Sequence, residues 1–201
     1  MRTMIPRPWV ILLAAGASRR FGGPKQLARL GGETLLHRAA RVALGCRPAG
    51  CVVVLGANAT RLRRELRDLP VNPVFNRRWR SGLAGSLRAG LAALPPSAAS
   101  ALVLLADQAA IGPADLELLI AASRRAPRAI VTARADALRR PPTIFPRRLF
   151  AELRRLRGDT GAKRLLSDAR RRVVELEIPG AALDIDWPED LARIAAAAVI
   201  S

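Results

Sequence analysis

The segment VILLAAGASRRFGGPKQL, residues 10–27, joins two signals that together specify a fold class. Its first six residues, Val10 to Ala15, are all apolar, which is the pattern of a strand covered on both faces of a parallel sheet. The run then empties into a turn that holds Gly16, Gly22 and Gly23 with three cations, Arg19, Arg20 and Lys25. A buried strand followed by a glycine turn and a stretch of helical period opens an α/β domain, and in such domains ligands gather outside the carboxyl ends of the strands. Glycines let the backbone approach a phosphate closely, and amides with nearby cations neutralise one. Neither GxxxxGK[ST] nor GxGxxG is present, so the turn is not a Walker A loop or a dinucleotide fingerprint. On composition alone a plain surface turn accounts for it equally well.

The same alternation continues along the chain. Apolar runs predict further strands over Cys51 to Leu55, Val71 to Phe75, Leu102 to Ala106, Ala129 to Thr132 and Val173 to Ile178. Helical periodicity predicts helices over Thr34 to Leu44, Ala59 to Asp68, Ser81 to Leu94, Pro113 to Arg124, Pro146 to Leu156, Gly161 to Ala169 and Pro188 to Ala198. Pro113 and Pro188 stand where helices begin, because the first helical residue does not need its amide hydrogen. Pro95 to Ser100 reads as a loop. With no repeat or long linker, one domain over residues 1–201 is expected, an α/β fold of three layers with a mostly parallel sheet.

Composition narrows the partners. The chain has 34 Lys and Arg against 16 Asp and Glu, a formal charge of +18. Only Lys25 and Lys163 are lysines, and the arginines are dispersed over many predicted helices, as at Arg61, Arg63, Arg64 and Arg67. There is no Tyr and few other aromatics for base stacking, so the charge reads as a solvated basic surface and argues against nucleic acid as partner. Apolar stretches run for about half a dozen residues, far short of the roughly 18 needed to span a bilayer, and the N-terminus lacks a signal-peptide pattern. Cys46 and Cys51 supply neither a disulfide framework nor a zinc ligand set, and a cytoplasmic location is expected. His37, the only histidine, has no Ser or Cys nucleophile motif to serve.

Five segments carry a resemblance. Leu13 to Lys25 fits LAAGxSxRxGxPK, and it is followed in order by VVVLG at Val52 to Gly56, NxxWxxGxxxS at Asn76 to Ser86, GDTGAK at Gly158 to Lys163, and DIDWPEDL at Asp184 to Leu191. The chain resembles the molybdenum cofactor cytidylyltransferase and guanylyltransferase group of the nucleotidyltransferase superfamily. That resemblance implies a Rossmann-like fold of the nucleotide-diphospho-sugar transferase type. It also implies that the backbone of Leu13, Ala14, Ala15 and Gly16 cradles base and ribose while Arg20 and Lys25 grip the phosphates. Arg19 matches a variable position and is expected to face solvent. Asn76, Gly82 and Ser86 match a segment near the nucleotide, although Asn76 reads equally as a turn residue and Ser86 as a helix-surface hydroxyl. Gly158, Asp159 and Gly161 match an acceptor-side loop, in which Asp159 has helix capping as its plainer reading.

The acids give a metal site. LVLLAD ends in Asp107 at the mouth of a predicted central strand, and a carboxylate suits a phosphate pocket only with a cation between them. Mg²⁺ binds through one or two carboxylates plus substrate phosphates, which makes Asp107 the leading ligand, with capping of the helix near Pro113 as the alternative. Asp184 and Asp186 flank Ile185, and alternation points both to one face, so one of the two is expected to complete the Mg²⁺ shell. Glu189 and Asp190 fall in a first helical turn, where acids are favoured structurally. Two departures from the family's pattern stand out. Gln108 and Ala109 follow Asp107 where DxP is usual, and Arg139, Arg140, Pro141 and Pro142 stand where GxP is common.

The expected activity is transfer of CMP from CTP to the terminal phosphate of a molybdopterin-type acceptor, with Arg20, Lys25 and Asp107 as catalytic residues and pyrophosphate released. Arg139 and Arg140 are expected to meet the acceptor phosphate. Ala15 suggests cytidine over guanosine, since the guanylyl branch often reads LAGG and a methyl group crowds a purine more. The alternatives are GTP as donor, a sugar phosphate or other phosphorylated metabolite as acceptor, or a non-catalytic protein that delivers cofactor to a molybdenum enzyme or its chaperone.

Overall fold

The computed structural model describes residues 6–158, 166, 168 and 172–199. Seven strands form one sheet: β1 (Trp9–Ala14), β4 (Gly50–Leu55), β5 (Asn72–Phe75), β6 (Ser100–Leu105), β7 (Ile130–Ala135), β8 (Leu138–Pro146) and β9 (Val173–Glu177). Their order is β5-β4-β1-β6-β8-β7-β9, parallel throughout except where β8 pairs with β6 and β7. A small antiparallel pair, β2 (Arg29–Leu30) and β3 (Glu33–Thr34), stands apart from it. The described helices are α1 (Leu35–Gly45), α2 (Ala59–Arg64), α3 (Leu83–Ala92), α4 (Pro113–Arg125), α5 (Phe150–Leu153) and α6 (Pro188–Val199).

β1 is apolar at every position because helices cover both of its faces. Val10, Leu12 and Ala14 pack with Leu36 and Ala40 of α1, Leu62 of α2, and Leu116 and Leu119 of α4. Ile11 and Leu13 pack instead with Leu87 and Leu91 of α3 and with Phe150 and Leu153 of α5. The result is a three-layer sandwich. Leu12 is fully buried, and its truncation to Ala would cost about 2–5 kcal/mol.

Chain order explains where a ligand can enter. From β1 the chain winds outward to β4 and β5 with α1 and α2 on one face, then crosses by α3 on the other face to β6 on the far side of β1. Strand order therefore reverses at β1 and β6, which opens a crevice beyond their carboxyl ends.

The six predicted strands are present with ends moved by a few residues. β8 was not expected, since Pro141 and Pro142 argue against a strand. The structure accommodates them because the register between β7 and β8 shifts, pairing Thr132 with Thr143 and Ala133 with Arg140, so the two prolines lie in a bulge where no ladder amide is required. β6 pairs with β8 only through Thr143 to Pro146, which leaves Arg140 to Pro142 free of β6 beside the crevice. The helix predicted over Ala59 to Asp68 is α-helical only to Arg64, and that predicted over Pro146 to Leu156 is a 3-10 turn, Arg147–Leu149, running into the single turn of α5. The helix predicted over Gly161 to Ala169 lies, apart from Leu166 and Asp168, outside the described residues. Among the described residues no helix is long and apolar enough to cross a membrane.

Candidate active site

A cleft of about 480 Å³ occupies the crevice, floored by Leu13 to Ser18 from the loop after β1 and by Leu105 to Asp107 from the end of β6. The first loop is held open by a residue that the sequence did not single out. Gln26 is buried, and its Nε2 donates to the carbonyls of Gly16 at 2.8 Å and Ala14 at 3.3 Å, while its Oε1 accepts from Ser18 Oγ at 3.3 Å. Nothing in the sequence pattern separates this Gln from a surface polar residue. Gly16 faces the cleft, and a Cβ placed there meets no protein atom within 4 Å, so the space in front of its backbone is open to a ligand. Arg19 lines the cleft mouth although it is exposed.

Trp79 and Arg80 form a wall of the same cleft, with the Arg80 guanidinium 4.5 Å from the Trp79 ring centroid. Trp79 can stand there because residue 56 is glycine, where a Cβ would come within 2.5 Å of the Trp79 Cβ. Asn76 is buried and does not line the cleft. Its Oδ1 accepts from the Arg78 amide at 3.0 Å and its Nδ2 donates to Ser86 Oγ at 3.2 Å, so it fixes the turn that carries Trp79. Ser86 is therefore not a helix-surface hydroxyl; it is buried and, with Gly82, lines the cleft. Gly158 has φ +70° and its carbonyl accepts from Ala84 N at 3.2 Å, which brings the start of the predicted acceptor loop to the base of α3. Asp159 and Gly161 lie outside the described residues.

The charged groups converge from three segments. Lys25 Nζ stands 2.7 Å from Asp107 Oδ2 and 2.9 Å from Asp186 Oδ1, and donates to the Ile185 carbonyl at 2.7 Å. Burial disfavours the Lys25 ammonium, but the two carboxylates outweigh it and its pKa ends above the ordinary lysine range. Arg20 binds the other oxygen of Asp186 at 3.1 Å from a side chain that is 69% exposed, and it lies outside the cleft lining. Asp107 does not cap α4, whose first turn is closed by Asp115 accepting from the Gly112 amide at 2.9 Å.

Ile185 is fully buried against Leu30, Leu35 and Ile194, and its amide donates to the Asp107 carbonyl at 3.0 Å. The two acids beside it have different partners. Asp186 is taken by Lys25 and Arg20, whereas among the described residues the ion-pair partner of Asp184 is Arg140, at 3.7 Å. Burial, followed by the charge of Asp107, pushes the Asp184 carboxyl up to about 6. Asp190 accepts from the amides of Asp186 and Trp187, each at 2.8 Å, and so caps α6.

Among the described residues, four polar atoms in this region are buried without a hydrogen-bond partner: Asp107 Oδ1, Gln108 Oε1, Arg140 Nε and Asp184 Oδ1. The two departures from the family's pattern touch one another, because Gln108 Nε2 donates to the Pro141 carbonyl at 2.8 Å. Arg139, by contrast, is held by Glu175 at 2.7 Å and by the Leu166 carbonyl.

Comparison with known proteins agrees with this arrangement. The family described as MobA-like NTP transferase domain matches residues 10–173. Nicotine blue oxidoreductase of Paenarthrobacter nicotinovorans is 32% identical, covering 96% of this chain and 98% of its own length. Purine catabolism protein PucB of Bacillus subtilis (strain 168) is 31% identical over 90% of this chain and 92% of its own. The crystal structure of Rv0371c from Mycobacterium tuberculosis H37Rv superposes with a TM-score of 0.84 at 31% identity, covering 95% of this chain and 98% of that one. A manganese complex of Rv0371C gives 0.81 at 29%, with coverages of 94% and 98%. With a nucleotide-sized cleft at the switch point of the sheet and a family match over most of its length, this chain belongs to the MobA-like NTP transferase family and is a nucleotidyltransferase.

Proposed function

We propose that this nucleotidyltransferase moves CMP from CTP to the terminal phosphate of a molybdopterin-type acceptor with the help of Mg²⁺. The observation that carries the reading is the Lys25–Asp107 pair on the floor of the cleft, where a cation for phosphates and a carboxylate for a metal ion meet at 2.7 Å. The backbone from Leu13 to Gly16 receives base and ribose, Lys25 faces the β- and γ-phosphates from the cleft floor, and the acceptor approaches from the side of Arg140. Arg20, outside the lining, would reach the phosphates only by leaving Asp186. An oxygen of the acceptor phosphate attacks the α-phosphorus in line, the new P–O bond replaces the bond to the β-phosphate, and pyrophosphate departs. Fixed cations aimed at the departing charge lower the barrier. An acceptor phosphate is largely ionised near neutral pH and needs no general base.

The residues fit a divalent ion. Asp107 Oδ1 and Asp184 Oδ1 are buried acceptors without donors, which cost about 1–3 kcal/mol each if left unmet. They would hold Mg²⁺ together with nucleotide phosphates, and the ion would neutralise charge on the triphosphate. Among the described residues no group of three or more His, Cys, Asp or Glu is arranged to hold a metal ion, so the two carboxylates would need phosphate oxygens or water to complete a shell. Between the two candidates that the sequence left open, the orphaned oxygen favours Asp184, since Asp186 is engaged by Lys25 and Arg20. The relative crystallised with manganese supports a divalent ion in this fold.

A redox reading is suggested by the name of the Paenarthrobacter relative. The chain's own thiols do not favour it, since Cys46 and Cys51 are buried and burial pushes them up to about 11 and about 12, far from reactive thiolates. Thermal shift with CTP, GTP, UTP and ATP, each with and without Mg²⁺, tests the donor. CTP with Mg²⁺ should give the largest rise in Tm; equal rises for all four, or none, would contradict the donor assignment.

A further inference from the structure

The end of β6, the bulge of β8 and the segment before α6 bring three charged groups near one another: Asp107, which lines the cleft, and the Arg140–Asp184 pair, 3.7 Å apart, which does not. A backbone bond joins the first segment to the third, the Ile185 amide donating to the Asp107 carbonyl at 3.0 Å, and Gln108 adds a side-chain tie that reaches all three segments. It is buried, and its Nε2 donates to the Pro141 carbonyl at 2.8 Å and to the Ala181 carbonyl at 3.3 Å. Through the first contact it ties Asp107 to the residue beside Arg140, and through the second to the 3-10 turn Pro179–Ala182 that ends two residues before Asp184. Thr132 supplies a further tie on one side only, donating from Oγ1 to the Arg140 carbonyl at 2.9 Å.

We propose that Gln108 is the positioning residue of the acceptor side, and that its amide sets the separation between Asp107 and the Arg140–Asp184 pair. The geometry leaves little freedom. Among the described residues Asp107 Oδ1 and Asp184 Oδ1 are buried acceptors without partners, so a cation shared between them must be met by groups that cannot turn to water for relief. Their spacing must already match that cation, and among the described residues Gln108 is the side chain bonded to both neighbouring segments. A side chain that holds the carriers of first ligands acts on metal affinity without touching the metal, and removing such support costs about 10–100-fold in affinity. The nucleotide, by contrast, is received by the loop after β1, which Gln26 supports independently of Gln108. The role rests on the proposed divalent-ion reading of this cleft.

The test uses the full chain and two variants of similar size, Gln108→Met and Gln108→Leu, neither of which can donate to the carbonyls as the amide does. CTP affinity is measured by calorimetry in EDTA, and Mn²⁺ affinity by electron paramagnetic resonance with CTP present. CTP affinity should stay within about twofold of the wild type while Mn²⁺ affinity falls about tenfold or more in each variant that retains native circular dichroism. A merely structural role would weaken both ligands in parallel with a lowered Tm. Unchanged Mn²⁺ affinity, or parallel losses, would overturn the positioning role. Failure of the wild type to bind Mn²⁺ in the presence of CTP would overturn the metal reading and this role with it.

Discussion

Lys25 and Asp107 are 2.7 Å apart, so the cation assigned to the phosphates and the carboxylate assigned to the metal neutralise one another across the floor of the cleft. The pair sets an order for binding. Lys25 holds Oδ2 of Asp107 while Oδ1 is left for a divalent ion, so a triphosphate that draws Lys25 away frees the carboxylate's full charge for the ion, and the two ligands are expected to bind with positive coupling. Measured by calorimetry, Mg²⁺ should tighten CTP binding by about tenfold or more, a coupling of about 1.4 kcal/mol. Independent binding would contradict the exchange.

Lys25→Ala removes the partner of two carboxylates at once. Turnover should fall about 10²-fold or more, because one preorganised charge contact is worth that much, and Tm should fall too because Asp107 and Asp186 are left facing each other's charge. Arg20→Ala should separate these effects. Its pair with Asp186 is exposed and adds little stability, so a loss of turnover should come with an unchanged Tm. Pyrophosphate release and calorimetric melting check both variants, and an Arg20→Ala enzyme of wild-type rate would remove Arg20 from the site.

Asp184 makes the site sensitive to pH. Its carboxyl holds a proton up to about pH 6 in the folded protein, chiefly through burial and then through Asp107, whereas an unfolded Asp releases it near 4. The native state therefore binds more protons between those values, so stability falls as pH rises through that window and stays level above it. Asp184→Asn should raise Tm at pH 7.5 and leave it unchanged at pH 4, and Mn²⁺ with CTP should stabilise the wild type more than the variant. A lower Tm for Asp184→Asn at pH 7.5 would contradict the assignment.

His37 acts in the same direction in a higher pH range. Its Nδ1 lies 2.8 Å from Glu33 and its Nε2 3.0 Å from Asp68, and these hydrogen bonds, Glu33 first, raise its pKa. Its stabilisation is complete below the unfolded value of about 6.5 and is lost as pH rises through the folded value. Melting curves between pH 6 and 9 should show a step in the wild type that Gln in place of His37 removes, with no effect on turnover.

How much of this could be read from the sequence follows from the range of the interactions. β1 and its glycine turn were legible because burial on both faces writes an unbroken apolar run, and the place of Asp107 beyond β6 because the same kind of run ends there. β8 was hidden because Pro141 and Pro142 are tolerated only by a bulge that its partner β7 creates. Gln26 and Gln108 were hidden for a similar reason. Their hydrogen bonds reach carbonyls 10 to 73 residues away, and no local pattern records them. Alternation along the chain gives Asp184 and Asp186 the same face, and their different partners, Arg140 for one and Lys25 with Arg20 for the other, come from segments far away in sequence.

The central claim is CMP transfer at the Lys25–Asp107 cleft, and it is tested most directly by mass measurement of the products formed from CTP, Mg²⁺ and molybdenum cofactor by the purified chain. The account predicts a cytosine dinucleotide and pyrophosphate in equal amounts, both abolished in Asp107→Asn because a neutral amide is a poor ligand for a hard cation. No dinucleotide from this mixture, with pyrophosphate released only when another phosphorylated acceptor is supplied, would contradict the acceptor; a full yield from Asp107→Asn would contradict the site itself.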